Sequence, residues 1–143
     1  MNGMDILFRL LLALLFGGVI GFERERQGRA AGFRTHILVC VGASLVMCLG
    51  LYLAEQYPNS DPSRLASHVI SGIGFLGAGT ILRFRVSVRG LTTAASLWTV
   101  SIIGLAVGAG FYLAALLATG AVLVTLYWLN FLVDKMMTRR DWY

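Results

Sequence analysis

The sequence predicts an all-α integral membrane protein, a bundle of five transmembrane helices forming one domain over residues 1–143. Three observations predict it. Of the 143 residues, 57% are hydrophobic and only 13% charged, with a mean hydropathy of +0.76, too apolar for one soluble domain of this length. The apolar residues fall in charge-poor blocks of roughly 17 or more, and each can cross a bilayer core of about 30 Å as a helix rising about 1.5 Å per residue. The apolar–polar alternation of membrane-barrel strands is absent. A water-soluble enzyme is thereby excluded.

The first block, residues 6–22 (ILFRLLLALLFGGVIGF), is interrupted only by Arg9 near one end, where its long side chain can reach the headgroups. Asp5 precedes it and arginines follow it, the reverse of a cleaved signal peptide. The second block, 37–54, has no charge, and the third, 65–82, is glycine-rich with His68 as its one titratable residue. From Leu91 to Val133 run 43 uncharged residues, about twice what a bilayer core accommodates as one helix. That run has to turn back, and Gly108-Ala109-Gly110 supplies the break between spans at 91–107 and 111–133.

Basic residues set the orientation, because Lys and Arg are retained on the cytoplasmic side. Arg24, Arg26, Arg29 and Arg34 follow span one, Arg83, Arg85 and Arg89 follow span three, and Lys135, Arg139 and Arg140 follow span five. Arg9 and Arg64 remain for the other side, with Asp5, Glu55 and Asp61. The N-terminus is therefore expected outside and the C-terminus in the cytoplasm. Tyr52, Tyr57 and Tyr112 fit the outer boundary, and Tyr127, Trp128, Trp142 and Tyr143 the inner one. Topology and attraction to anionic lipid account for the net charge of +5, so nucleic acid is not invoked as a partner.

Catalytic chemistry finds little support. The carboxylates are Asp5, Glu23, Glu25, Glu55, Asp61, Asp134 and Asp141, which leaves residues 62–133 without an acid. A paired-carboxylate hydrolase is not expected. His36 and His68 begin successive spans on opposite sides and cannot share a metal. Cys40 and Cys48 lie eight residues apart on one helix, about 12 Å along its axis, too far to bond to each other. The string GIGFLG at Gly72–Gly77 has neither a preceding strand nor a following acid, so it is no dinucleotide site. No catalytic residue, resident metal or cofactor is expected, and Glu23 and Glu25 are the only weak metal candidates.

The glycines read instead as helix-packing positions, since small residues let backbones approach where lipid offers no hydrophobic drive. Ala13, Gly17 and Gly21 recur every four residues, Ser67, Ser71, Gly74 and Ala78 form a stripe, and Gly104 and Gly108 repeat the spacing. The density at Gly72, Gly74, Gly77 and Gly79 would also allow a bend at membrane depth. Such faces suit the bundle itself and a homo-oligomer, most simply a dimer.

The sharper signal lies in the polar inner loops. Glu23 and Glu25 end the first helix, where the dipole disfavours anions, so both need cationic partners. Glu23 can reach Arg26. Glu25 falls four residues after Gly21 and is expected to point into the bundle and pair with Arg83, Arg85 or Arg89. A structural salt-bridge belt and a cation site made of these carboxylates are the two readings. Gly32-Phe33-Arg34-Thr35 also echoes Gly90-Leu91-Thr92-Thr93. In each case a threonine can cap a helix N-terminus beside arginines, an arrangement that attracts a phosphate, an anionic lipid head or a partner's carboxylate. The expected partner- or ligand-binding face thus comprises Glu23, Arg24, Glu25, Arg26, Arg34, Thr35, Arg89, Thr92 and Thr93.

Three stretches, GFERERQGRAAGFRTHILVCVGAS, SGIGFLGAGTIL and VRGLTTAASLW, resemble the signature segments of the MgtC/SapB family of bacterial membrane proteins. The resemblance covers almost the whole chain. It implies a multi-pass helical bundle of the bacterial inner (plasma) membrane, linked to growth under low magnesium and, in pathogens, to virulence. It further implies a non-enzymatic protein that acts on other membrane machinery, including ATP synthase. Several members continue into a soluble cytoplasmic domain, whereas no C-terminal soluble domain is expected here, ten residues after Val133. A regulator of another membrane protein is therefore the leading expectation. The rival is a small magnesium transporter or channel subunit, against which the acid-free spans count, because magnesium usually takes one or two carboxylates. A protein that binds phosphate or anionic lipid is the third.

Overall fold

A single apolar stripe organises the first helix. In α1 (Gly3–Arg26) the buried residues are Ala13, Phe16, Gly17, Gly18, Ile20, Gly21 and Arg24, three and four apart and so on one side, while Leu7, Leu11, Leu14 and Leu15 face outward. Outward leucines of this density would be a liability in water and suit a lipid-facing surface. The computed structural model describes residues 2–83 and 87–137, with side chains described up to residue 128. Arg85, Lys135, Arg139, Arg140, Trp142 and Tyr143, named above for topology, lie outside the described residues or side chains.

Four further helices follow: α2 (Phe33–Gln56), α3 (Pro62–Gly79), α4 (Leu91–Gly108) and α5 (Tyr112–Met137). The only strands among the described residues are a two-residue antiparallel pair in the α3–α4 connection, with Leu82 opposite Arg89 and Arg83 opposite Val88. The fold is therefore all-helical with five helices. Three of them, α1, α2 and α4, are long and apolar enough to cross a membrane. α3 begins three residues before the expected span and ends at Gly79, so it adds Pro62, Ser63 and Arg64 and leaves out Thr80, Ile81 and Leu82. The described apolar part of α5 runs from Tyr112 to Trp128.

Local chemistry sets the helix ends. α1 and α4 both stop on a glycine of positive φ, Gly28 (φ 63°) and Gly110 (φ 84°). Around each, two reversed hydrogen bonds close the last turn: Gly28 N to Glu25 O and Arg29 N to Arg24 O, then Gly110 N to Val107 O and Phe111 N to Ala106 O. The long apolar run thus turns within the glycine-flanked stretch expected to break it. At the start of α3 the Asp61 carboxylate accepts the Ser63 N–H at 2.9 Å, and Pro62 occupies the first helical position. The Ser63 hydroxyl and amide hold the Asp61 carboxyl below its usual range.

α2 lies between α1 and α4, and glycines set both separations. A Cβ on Gly17 would fall 2.8 Å from the Cys40 Cβ and the His36 carbonyl, and one on Gly21 would fall 2.8 Å from the backbone of Phe33. On the other side, Gly104 meets the Cys40 carbonyl and Gly108 the Ser44 carbonyl too closely for any side chain. The main core runs along this three-helix contact through Ala13, Phe16, Ile20, Cys40, Val100, Ile103 and Val107, and α5 adds Ala115 and Leu126. Cys40 and Cys48 are buried and free. α3 is different. Gly77 makes ordinary contact with Ala94, but Gly72, Gly74 and Gly79 have open space where a Cβ would stand. Ser67, Ser71, Gly74 and Ala78, the small-residue stripe, are all exposed.

Candidate functional site

The end of the bundle that carries the arginine-rich connections also holds a cluster of buried polar groups, Arg24, His36, Thr93 and Ser96. α1 continues unbroken through Arg26, so the loop expected at 23–36 shrinks to the turn between Arg26 and Phe33. That continuation decides which side chain turns inward. At about 100° per residue, position 24 lies about 20° from Gly17 around the helix, whereas position 25 lies about 80° away. Arg24 therefore takes the buried place, only 1% exposed, and Glu25 is exposed. The inward Glu25 expected from a four-residue stripe is corrected accordingly, because a strict spacing of four drifts around a helix of 3.6 residues per turn.

Glu25 has a defined partner of another kind. Its Oε2 accepts the Phe33 N–H at 2.8 Å, placing a carboxylate on the first free amide of α2. Gly32, the N-cap residue, permits this, since a Cβ there would overlap that same carboxylate. The pairing anticipated with Arg83 or Arg89 gives way to this cap, and Arg85 lies outside the described residues. Glu23 accepts from Gln27 Nε2 at 2.6 Å, and Gln27 Nε2 also reaches the Leu126 carbonyl at 3.3 Å, tying α1 to α5.

Arg24 points to the opposite neighbour. Its Nη2 donates to Thr93 Oγ1 at 3.1 Å in the first turn of α4, while its Nε and Nη1 are buried with no hydrogen-bond partner. His36, wholly buried in the first turns of α2, joins the same cluster. Its Nδ1 lies 2.9 Å from the Gly32 carbonyl and its Nε2 lies 3.0 Å from Ser96 Oγ. The Ser96 hydroxyl also donates to the Thr93 carbonyl at 2.8 Å. A neutral His36 protonated on Nδ1 satisfies the first contact and leaves Nε2 to accept from Ser96. Three helices thus meet on one polar network of Arg24, His36, Thr93 and Ser96. Ser96 also lines a cleft of about 260 Å³ between α4 and α5, beside the hydroxyl-bearing Thr92, Thr99 and Thr125.

The remaining candidates spread around this centre. Arg26, Arg34, Thr35, Arg89 and Thr92 are exposed. Neither α2 nor α4 takes a side-chain cap from its expected threonine: Gly32 and Gly90 occupy the N-cap positions, and Thr35 and Thr93 stand in the first helical turns. Among the described residues no group of three or more His, Cys, Asp or Glu is placed to hold a metal. His36 and Ser96 were missed as site residues. Sixty positions separate them, and neither has a local signal marking it as polar core.

At the other end of the bundle, Arg9 Nη1 donates to the Gly108 carbonyl, which also receives the Cys48 thiol at 3.7 Å. Phe8 and Tyr112 meet edge to face at 5.4 Å there.

Comparison with known proteins places the chain. The MgtC family model matches residues 10–135. Over 140 residues, 94% of this chain, it is 36% identical to YhiD of Escherichia coli (strain K12), named as a candidate magnesium transporter, and covers 65% of that protein. It is 39% identical to Protein SapB of Bacillus subtilis (strain 168) over 138 residues, 92% of this chain and 60% of that one. It is 46% identical to Protein MgtC of Brucella abortus (strain 2308) over 107 residues, 75% of this chain and 44% of that one. The chain therefore spans less than two thirds of these relatives. No solved structure matches it.

Proposed function

The chain belongs to the MgtC family, and from that premise we propose that it is a magnesium-related protein of the bacterial inner membrane that acts by contact on another membrane complex. A rotary ATP synthase is the target the family resemblance suggests. In this reading the five helices all traverse or enter the bilayer, and the arginine-bearing connections face the cytoplasm. The open glycine face of α3 is then available to a partner or to a second copy.

One observation carries the preference for regulation over ion movement. The buried ionisable groups among the described residues are Arg24, His36 and the thiols of Cys40 and Cys48, and no carboxylate lies among them. A divalent cation entering the bundle at this end would find no buried carboxylate among the described residues to supply the oxygen ligands it needs. Glu23 and Glu25, the candidate ligands, are each engaged by a donor of the chain itself.

Liposomes containing only this protein test the reading. The expected result is magnesium flux no faster than in empty vesicles, while affinity purification from membranes retains a partner complex. Protein-dependent flux would establish the transporter reading, which the name of YhiD favours. The orientation is tested by cysteine labelling. A cysteine at Arg26 should react only from the cytoplasmic side, and labelling from outside would overturn the topology.

A further inference from the structure

We propose that Arg24 and the first turn of α4 form a binding site for a phosphate-class anion, supplied as free phosphate or as the headgroup of an anionic phospholipid. The inference goes beyond the regulatory reading and does not depend on it. Arg24 is only 1% exposed, and a guanidinium carries five N–H donors in a planar fork. One nitrogen is engaged by Thr93, while Nε and Nη1 have no acceptor. A buried charge left in this condition is costly unless something completes it. The two adjacent acids are turned elsewhere, Glu23 to Gln27 and Glu25 to Phe33.

The helix that Arg24 touches makes the same demand. α4 starts after Gly90 with no side-chain cap, and its first helical bond is Ala94 N to Gly90 O. The amides of Leu91, Thr92 and Thr93 therefore precede its ladder, at the positive end of the helix dipole. The start of α2 already has the Glu25 carboxylate. The start of α4 has a base where its counterpart has an acid, and an anion is the group that answers both. Thr93 Oγ1, which accepts from Arg24, still has its own proton to donate. Guanidinium, hydroxyl and helix amides together offer more donors than the two oxygens of a carboxylate use well, and they suit a tetrahedral phosphate. Water would satisfy the donors but leave the charge. The cleft between α4 and α5 has Thr92, of that same first turn, and Ser96 in its wall.

The test uses the full chain, delipidated in a nonionic detergent, with its melting followed as inorganic phosphate replaces chloride at constant ionic strength. A parallel series uses nanodiscs of phosphatidylcholine with increasing phosphatidylglycerol. A saturable upward shift is expected in at least one series. A shift with phosphate alone identifies the free anion, and a shift confined to phosphatidylglycerol identifies the headgroup. Arg24→Gln should weaken the response at least tenfold, and Thr93→Val several-fold. The proposal is overturned if wild type shows no saturable shift in either series, or if Arg24→Gln responds as wild type does. Should Arg24→Gln not fold, a wild-type response from Thr93→Val overturns it instead.

Discussion

The first turns of α2 and α4 begin with similar strings, Gly-Phe-Arg-Thr and Gly-Leu-Thr-Thr, yet the structure completes them in opposite ways. At α2, the Glu25 carboxylate crosses the turn to hold the Phe33 amide, and Gly32 is small enough to admit it. At α4, Gly90 is held at φ 91° against the Thr80 carbonyl, and the charged neighbour is Arg24. Consecutive residues of α1 serve the two sites because about 100° of helical rotation separates them. Similar local sequence therefore says little about the charge a helix terminus receives. A third element decides that.

Removing the approach that puts α1 over the start of α2 should have the largest effect. In Gly21→Leu the new Cβ would lie 2.8 Å from the Phe33 backbone, so the helices must separate, at a cost of about 3 kcal/mol. Thermal melting in detergent should show a large loss or failure to fold, with the Glu25 cap lost as well. Gly72→Leu, at an open position, should be close to neutral, and equal effects at the two positions would sink the packing argument.

The two N-cap glycines should respond unequally. Gly90→Ala forces an L-residue into positive φ against backbone, at roughly 2 kcal/mol. Gly32→Ala displaces only the end of the Glu25 side chain and should cost less. A reversed order would show that the α2 cap is the more rigid of the two.

The charges themselves should differ in sign. In phosphate-free detergent, Arg24→Met should raise stability by about 1 kcal/mol or more, because an apolar chain of similar length replaces a buried guanidinium with two donors unmet. A lowered melting temperature would mean that the guanidinium is already satisfied. Glu25→Ala should lower stability by about 1 kcal/mol, the usual worth of an N-terminal cap. Glu25→Gln, which keeps an acceptor but not the charge, should fall between the two. If Glu25→Ala is silent, the carboxylate contributes nothing at α2, and the contrast between the turns loses one of its sides.

Composition and the length of apolar runs by themselves determined the helical membrane character and the number of helices, because the requirement to satisfy backbone groups in lipid acts on each segment separately. The glycine-bounded break between α4 and α5 was legible for the same local reason. The family was legible in three ordered stretches. Only the tertiary structure decided that Arg24, and not Glu25, turns inward, that His36 and Ser96 share a polar network, and that Gly72, Gly74 and Gly79 of α3 face open space while Gly17, Gly21, Gly104 and Gly108 seat α2. Each of these depends on where α1 ends and on which neighbour stands beside a given face. An intact turn of helix from Glu23 to Arg26 rotates every later side chain, and a hydrogen bond across sixty positions leaves no mark in the spacing of either residue.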